Sequence, residues 1–389
     1  MSSVRKNQSV EMKAGYMVPF GTISITDSAR KLINTAVDST FVTNGKYVRK
    51  FEERFAELFG ADHAVAVSSG TDADALALAV LYDYGAKRGD EIIVPALTFI
   101  ATGNAVLQAG FKPVFVDVRR ETLNIDPEKI EAAVTERTRA IMPVHLMGKP
   151  ADMAAILDIA GRHDLMVIED AAEAHGAKHS GRYAGTIGDM GAFSLYAAHI
   201  VSSIEGGMVI TKDARKAGIL RSLRNHGMEN KFDAVRIGFS AKMNELEAAV
   251  GLGNVEIFDL VLEKRRRNLL YLIERCRPFQ EHFHFLQENE GEVIGPHAFS
   301  MILKEGCSFS KDEFVHFLDK QGIDSRNLFF SIPTQCESYR FLGHSRGDFP
   351  EAEYCSDHGT HIGIHQDLEI HQLDYVVDMI GQFLKEQAV

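Results

Sequence analysis

Between Val37 and Thr211 the chain repeats one pattern: a short apolar run rich in β-branched residues, a turn, then a longer stretch with helical spacing. The runs His63–Val67, Glu91–Pro95, Pro113–Asp117, Ala140–His145, Leu165–Asp170 and Gly207–Thr211 read as continuously apolar. Strands of that kind are covered by helices on both faces. Asp72–Tyr84, Thr98–Ala109, Pro127–Val134 and Ala151–His163 carry the helical periodicity, with Gly85, Gly110 and Gly148 at or near their ends. An α/β sheet follows, and the carboxyl ends of its strands are where a ligand belongs.

Met243–Arg277 reads as a long helical segment with a break at Gly251-Leu252-Gly253. Beyond it, strand runs Phe299–Leu303 and His361–His365 mix with helical pieces Lys311–Gln321 and Leu373–Leu384, the pattern of an α+β unit. The expected organisation is an N-terminal arm (1–36), a large cofactor-binding domain (37–255) and a linking helix with a small C-terminal domain (256–389). A length of 389 residues with 45% hydrophobic content suits two packed domains.

Lys and Arg total 42 against 54 Asp and Glu, a formal charge of -12, so a basic surface for nucleic acid or anionic lipid is not expected. Against that background Lys264-Arg265-Arg266-Arg267 reads as a solvated helix face. The first fifteen residues are polar and no run is long enough to span a bilayer, so a cytoplasmic location is expected. Cys276, Cys307, Cys336 and Cys355 are dispersed and read as reduced thiols.

Three stretches carry chemistry. The strand Leu165–Asp170 ends in two carboxylates, and a buried acid there needs a cationic partner, a protonated heterocycle for example, unless it merely caps the next helix. Ser68-Ser-Gly-Thr-Asp-Ala73 joins a strand to a helix, and its N–H groups and the Thr71 hydroxyl suit an anion as well as a plain turn. Gly188–Gly207 joins Ser194 and His199 to a glycine-rich return into a strand.

Together with Phe41–Gly45, Pro95–Ala101, Glu169–Gly176 and Arg224-Asn-His-Gly227, these stretches resemble the nucleotide-sugar aminotransferase and dehydratase family, DegT/DnrJ/EryC1/StrS, which uses pyridoxal phosphate. The resemblance implies the aspartate-aminotransferase-like fold type I, with a large mixed, mostly parallel sheet. It also implies that Asp170 pairs with the cofactor's ring nitrogen, Phe99 stacks on the ring, and Gly70, Thr71 and Ser194 hold the phosphate. Glu173 matches a position that contacts the ring hydroxyl. Ser240 and Lys242 stand where many relatives have Asn and Arg, the Asn reaching a neighbouring subunit's phosphate, so Ser240 is a weaker candidate donor. A homodimer is implied by the same token.

The departure is His199. In ordinary members this position, five after the serine, is the lysine that holds the cofactor covalently and shuttles protons. Imidazole cannot form that bond, but it suits a general base. The arrangement is similar to the sugar 3-dehydratases of the family, those acting on GDP-4-keto-6-deoxymannose in particular, and His365-Gln366 matches a His-Gln pair found there. The expected reaction is dehydration at carbon 3 of a nucleotide-linked 4-keto-6-deoxy sugar, with pyridoxal or pyridoxamine phosphate and an amino donor such as glutamate. A sugar aminotransferase with an atypical histidine and a noncatalytic sugar-nucleotide-binding homologue are the alternatives.

Arg326 matches an arginine that contacts the donor or the sugar nucleotide in the family, although a surface ion pair accounts for it equally. His358, His361 and His365 lack a carboxylate or thiol to complete a metal set, and His365 is read as facing the cleft. No metal is expected. Without a close Cys-x-Cys pair, an iron–sulfur cluster of the kind some related 3-dehydratases carry is not expected either.

Overall fold

The computed structural model describes residues 16–230, 232–329 and 331–387, so residues 1–15 of the expected arm lie outside the described residues. Two helices, α1 (Asp27–Ser39) and α2 (Lys46–Phe59), precede an alternating run. The run comprises β1 (His63–Val67), α3 (Gly70–Ala79), β2 (Glu91–Pro95), α4 (Ile100–Gln108), β3 (Lys112–Val116), α5 (Pro127–Ala133), β4 (Thr138–Ile141), α6 (Met153–His163) and β5 (Met166–Asp170). A hairpin of β6 (Lys178–His179) and β7 (Arg182–Tyr183) leads to β8 (Met190–Ser194), β9 (Gly207–Thr211), α7 (Ala214–Arg224), α8 (Glu245–Glu256) and α9 (Phe258–Arg275). The C-terminal part holds β10 (Phe283–His284), β11 (Glu292–Val293), β12 (Ala298–Leu303), α10 (Lys311–Lys320), β13 (Ser325–Asn327), α11 (Pro350–His358), β14 (Gly359–Gly363) and α12 (Ile370–Gln387).

The large sheet has seven strands in the order β1-β9-β8-β5-β4-β2-β3. The pairings β2–β3, β2–β4, β4–β5 and β5–β8 are parallel, whereas β9 runs antiparallel between β1 and β8. Alternate residues serve two cores: Ile92, Val94 and Ile168 pack in one cluster, Ile93, Ile141 and Val167 in another. That is the two-sided burial which continuous apolar runs require. Because β9 reverses direction beside β8, residues 195–206 need no crossover helix. They form a loop at the carboxyl edge of the sheet, where the other functional segments also end.

The strand β8, Met-Gly-Ala-Phe-Ser, is not among the runs expected from sequence. Without β-branched residues it has little strand signal of its own, and β5 and β9 on either side impose the pairing. The expected helix break is also displaced. Gly251 and Gly253 lie inside α8, and the chain turns at Ile257, whose N–H bonds the Asn254 carbonyl. The reason is packing: a Cβ at Gly251 would stand 2.4 Å from the Phe51 ring, so the glycine admits α2 against α8 and does not interrupt the helix. Glu245, at the start of α8, supplies what Gly45 cannot as the cap of α2, accepting N–H bonds from Gly45, Tyr47 and Val48.

The C-terminal part builds an antiparallel sheet, β10-β12-β14-β13, and β11 joins the β6–β7 hairpin. β14 ends at Gly363, so His365 lies on the segment after the strand and not within it. No helix among the described residues is long and apolar enough to cross a membrane.

Candidate active site

Adjacent residues of a strand face opposite sides, and the two acids ending β5 divide accordingly. Glu169 is completely buried and serves structure: its carboxylate accepts N–H bonds from Gly185 (2.8 Å), Ile187 (2.7 Å) and Gly188 (2.7 Å). His145 Nδ1 accepts from the Ala151 N–H at 3.0 Å, which leaves its Nε2–H to donate to Glu169 at 2.9 Å. Asp170 faces the other way. Its carboxylate accepts the Thr102 hydroxyl at 2.8 Å and the Ala172 N–H at 3.1 Å, and Thr102 in turn lies 2.7 Å from Thr98. Burial raises its pKa, opposed by those two hydrogen bonds.

Across from it, Ser69 caps α3 by accepting the Asp72 N–H at 3.0 Å, while the N–H groups of Gly70 and Thr71 have no acceptor within the helix. A Cβ at residue 70 would come 2.8 Å from the Ser194 Cβ, so only glycine lets the helix start lie this close to the end of β8. The Asp72 carboxylate is turned to the Ser68 and Ser69 hydroxyls. Phe99, just before α4, is 60% exposed.

His199 lies half-buried on the β8–β9 loop, its N–H bonded to the Tyr196 carbonyl. The imidazole stands edge-on to His175, ring centres 5.7 Å apart, and 5.3 Å from His297. Burial, His297 and Arg265 hold its pKa well below the usual histidine value. Among the described residues neither ring nitrogen of His199 is engaged in a hydrogen bond. His175, by contrast, is stacked on Phe193 and accepts the Val201 N–H on Nδ1, so it props the loop from beneath.

Glu173 completes the cluster. Its carboxyl accepts the Met147 N–H at 2.7 Å and lies 3.6 Å from His297 Nε2. Gly148, next to Met147, accepts the Gly295 N–H at 2.8 Å, which anchors the segment bearing His297. Burial pushes the Glu173 pKa up to about 7, the Met147 bond opposing it, and burial with Arg265 and Arg326 takes His297 down to about 3. Near neutral pH the contact therefore joins a neutral imidazole to a carboxyl close to its midpoint. Because the folded chain holds this proton more tightly than the unfolded one, stability falls as pH rises from 4.5 to about 7. The cofactor-free protein is expected to lose up to about 3 kcal/mol across that window relative to Glu173→Gln. Urea unfolding of both at several pH values checks it, and parallel curves would refute it.

Arg265 is 3% exposed. The expectation of a solvated Lys264–Arg267 face fails at this residue: the guanidinium turns inward and donates to the Ala198 carbonyl and to Gln366 Oε1, both at 3.0 Å. Arg266 instead pairs with Glu288, and Arg267 reaches the Leu368 carbonyl. His365 is buried beside this contact, its Nδ1 accepting the Asp367 N–H at 3.3 Å, and burial lowers its pKa to about 4. Arg326 lies exposed on β13 with its guanidinium 3.7 Å over the Phe20 ring. Ser240 is exposed and bridged to Asn225; its neighbour Ala241, not Ser240, bonds Ser68 beside the helix cap. His358 stacks on Tyr354 while His361 lies edge-on to Phe20, and among the described residues no group of three or more His, Cys, Asp or Glu side chains is placed to hold a metal.

Asp170, Glu173 and His199 thus gather at the carboxyl edge of the sheet, where the start of α3 meets Ser194. His297 and Arg265 were not legible as members. His297 is a lone histidine in a loop 98 residues beyond His199, and Arg265 is hidden within a basic run.

The model of the DegT/DnrJ/EryC1/StrS aminotransferase family matches residues 24–381. A GDP-perosamine synthase of Caulobacter vibrioides is 36% identical over 361 residues, 91% of this chain and 95% of that protein. A GDP-4-keto-6-deoxy-D-mannose 3-dehydratase of Yersinia pseudotuberculosis is 34% identical over 377 residues, 90% of this chain and 95% of that protein. A crystal structure of GDP-4-keto-6-deoxymannose-3-dehydratase with a trapped PLP-glutamate geminal diamine superposes with a TM-score of 0.84 at 29% identity, covering 93% of this chain and 99% of that one.

Proposed function

The chain belongs to the DegT/DnrJ/EryC1/StrS aminotransferase family, and from that premise we propose that it removes the carbon-3 hydroxyl of a nucleotide-linked 4-keto-6-deoxy sugar using pyridoxal/pyridoxamine phosphate. One observation carries the reading: the β8–β9 loop presents an imidazole, not an amine, to the acid cluster at the carboxyl end of β5.

The residues present fit the cofactor. A buried carboxylate, Asp170, suits a cationic ring nitrogen, and the two free N–H groups of the α3 terminus with the Ser194 hydroxyl suit a phosphate dianion. Phe99 offers a ring face, and Glu173 a partner for the ring hydroxyl. When bound, the cofactor supplies an amine that condenses with the ketone and a ring that stores electrons. His199, with both ring nitrogens free and its protonated form disfavoured, takes up a proton and returns it to the departing hydroxyl. Asp170 keeps the ring nitrogen protonated throughout.

The atoms balance with glutamate as donor. The carbon–oxygen bond at carbon 3 becomes carbon–hydrogen, the amino carbon of glutamate is oxidised to a keto acid, and its nitrogen leaves as ammonia. Arg326 and His365 border the substrate side, and Ser240 stands as a donor toward a second subunit's phosphate in a homodimer. The four dispersed thiols suit a reaction without an iron–sulfur cluster, in a cytoplasmic enzyme that supplies deoxysugars for surface polysaccharide such as lipopolysaccharide.

Incubation with glutamate and a panel of 4-keto-6-deoxy nucleotide sugars, followed by mass spectrometry, tests this. Loss of the carbon-3 oxygen with release of ammonia is expected. A new carbon–nitrogen bond in the product would instead establish aminotransfer, the reading that the GDP-perosamine synthase relative favours.

A further inference from the structure

Arg265 is a buried cation with no carboxylate at ion-pairing distance among the described residues; both of its acceptors, the Ala198 carbonyl and the Gln366 amide, are neutral. Asp367 supplies a carboxylate only at longer range than an ion pair, and burying a charge without a directly paired counter-ion is costly, so the position calls for a reason beyond packing. The contacts supply one. Gln366 holds Arg265 through Oε1 and donates from Nε2 to Ser24 at 3.1 Å, while Asn268, one turn along α9, donates to the Ile364 and His365 carbonyls. Helix α9 therefore grips residues 364–366 on one side, and through Arg265 it grips the carbonyl that immediately precedes His199.

We propose that Arg265 is a positioning residue for His199, a two-pronged clamp that fixes the Ala197–His199 turn against the C-terminal segment and sets a permanent positive charge beside the imidazole. The charge has a chemical consequence. The groups facing His199 are His175 from the turn after β5, His297 from the segment before β12 and Arg265 from α9; the two histidines are themselves held neutral by burial. Arg265, displaced only to about 10 by burial with the Asp367 carboxylate opposing, stays protonated at neutral pH and disfavours a second cation on His199. The imidazole is thus kept as a proton acceptor at the pH of turnover. This role rests on reading His199 as the base.

The test combines a titration that needs no turnover with kinetics. In protein labelled with ¹⁵N at the histidine rings, the His199 signals are assigned by their loss in His199→Asn and followed against pH in wild type, Arg265→Met and Arg265→Lys. In Arg265→Met the His199 midpoint is expected to rise, the acid limb of kcat to move to higher pH, and kcat to fall about 100-fold with KM for the nucleotide sugar nearly unchanged. Arg265→Lys restores the charge but cannot span both acceptors, so its midpoint returns toward wild type while kcat stays about 10-fold low. A wild-type midpoint and kcat in Arg265→Met would overturn the clamp. If Arg265→Met does not fold, unchanged kcat in both Arg265→Lys and Gln366→Leu overturns it equally. A moved midpoint in a protein that aminates its sugar would sink the dehydratase reading and leave the clamp standing.

Discussion

Replacing His199 by asparagine is expected to lower turnover by about 10²–10⁴-fold, the range for loss of a general acid–base, with the cofactor still bound. The amide fills nearly the same space on the β8–β9 loop and does not touch the ring-nitrogen or phosphate groups assigned to Asp170, Gly70, Thr71 and Ser194. What it lacks is basicity. Of the neighbouring imidazoles, His175 has Nδ1 committed to Val201 and His365 has Nδ1 committed to Asp367, while His297 stands 3.6 Å from Glu173. Chromatographic assay of the nucleotide sugar, with the cofactor absorbance recorded after gel filtration, checks both halves of the expectation. Full turnover in the variant would place the base elsewhere.

Glu169→Ala is expected to cost stability, not specificity, by about 3–5 kcal/mol. The substitution strands the buried N–H groups of Gly185 and Ile187, the part-buried N–H of Gly188 and the Nε2–H of His145. These hold the turn that feeds β8, and β8 ends in Ser194. Asp170, on the opposite face of the same strand, keeps its own partners, so KM for the sugar in the folded fraction should change little. Urea unfolding at matched pH measures the difference. A loss below about 1 kcal/mol would mean that water satisfies those groups, contrary to the burial of Gly185, Ile187 and His145.

The two acids show what a sequence can and cannot convey. Their place at the end of a strand is readable from the run Leu165–Asp170, because a continuous apolar run marks a buried strand independently of its surroundings. The bounds of β1, β2 and β9 agree with their apolar runs, because a continuous apolar run marks burial on both faces whether the strand pairs parallel, as β2 does, or antiparallel, as β1 and β9 do. Which acid is structural depends on partners at residues 145 and 185–188, and no local pattern encodes those. The same holds for β8, whose composition is neutral and whose pairing is dictated by its neighbours. Gly251 misled because glycine signals a break only when nothing packs on it, and here Phe51 does. Arg265 is the sharpest case. A basic run on an acidic chain is read by its average, whereas the fold turns one of its four members inward.

The tie from Ser24 through Gln366 and Arg265 to Ala198 also bears on how the protein comes into being during synthesis. Residues 364–366 are made long after the sheet that carries His199, and contacts so distant along the chain form late, once loop closure is complete. A nascent chain can assemble its seven strands and the start of α3 while the turn beside His199 still lacks its clamp. Competence for the proposed chemistry is then expected as a final event, when the C-terminal segment docks.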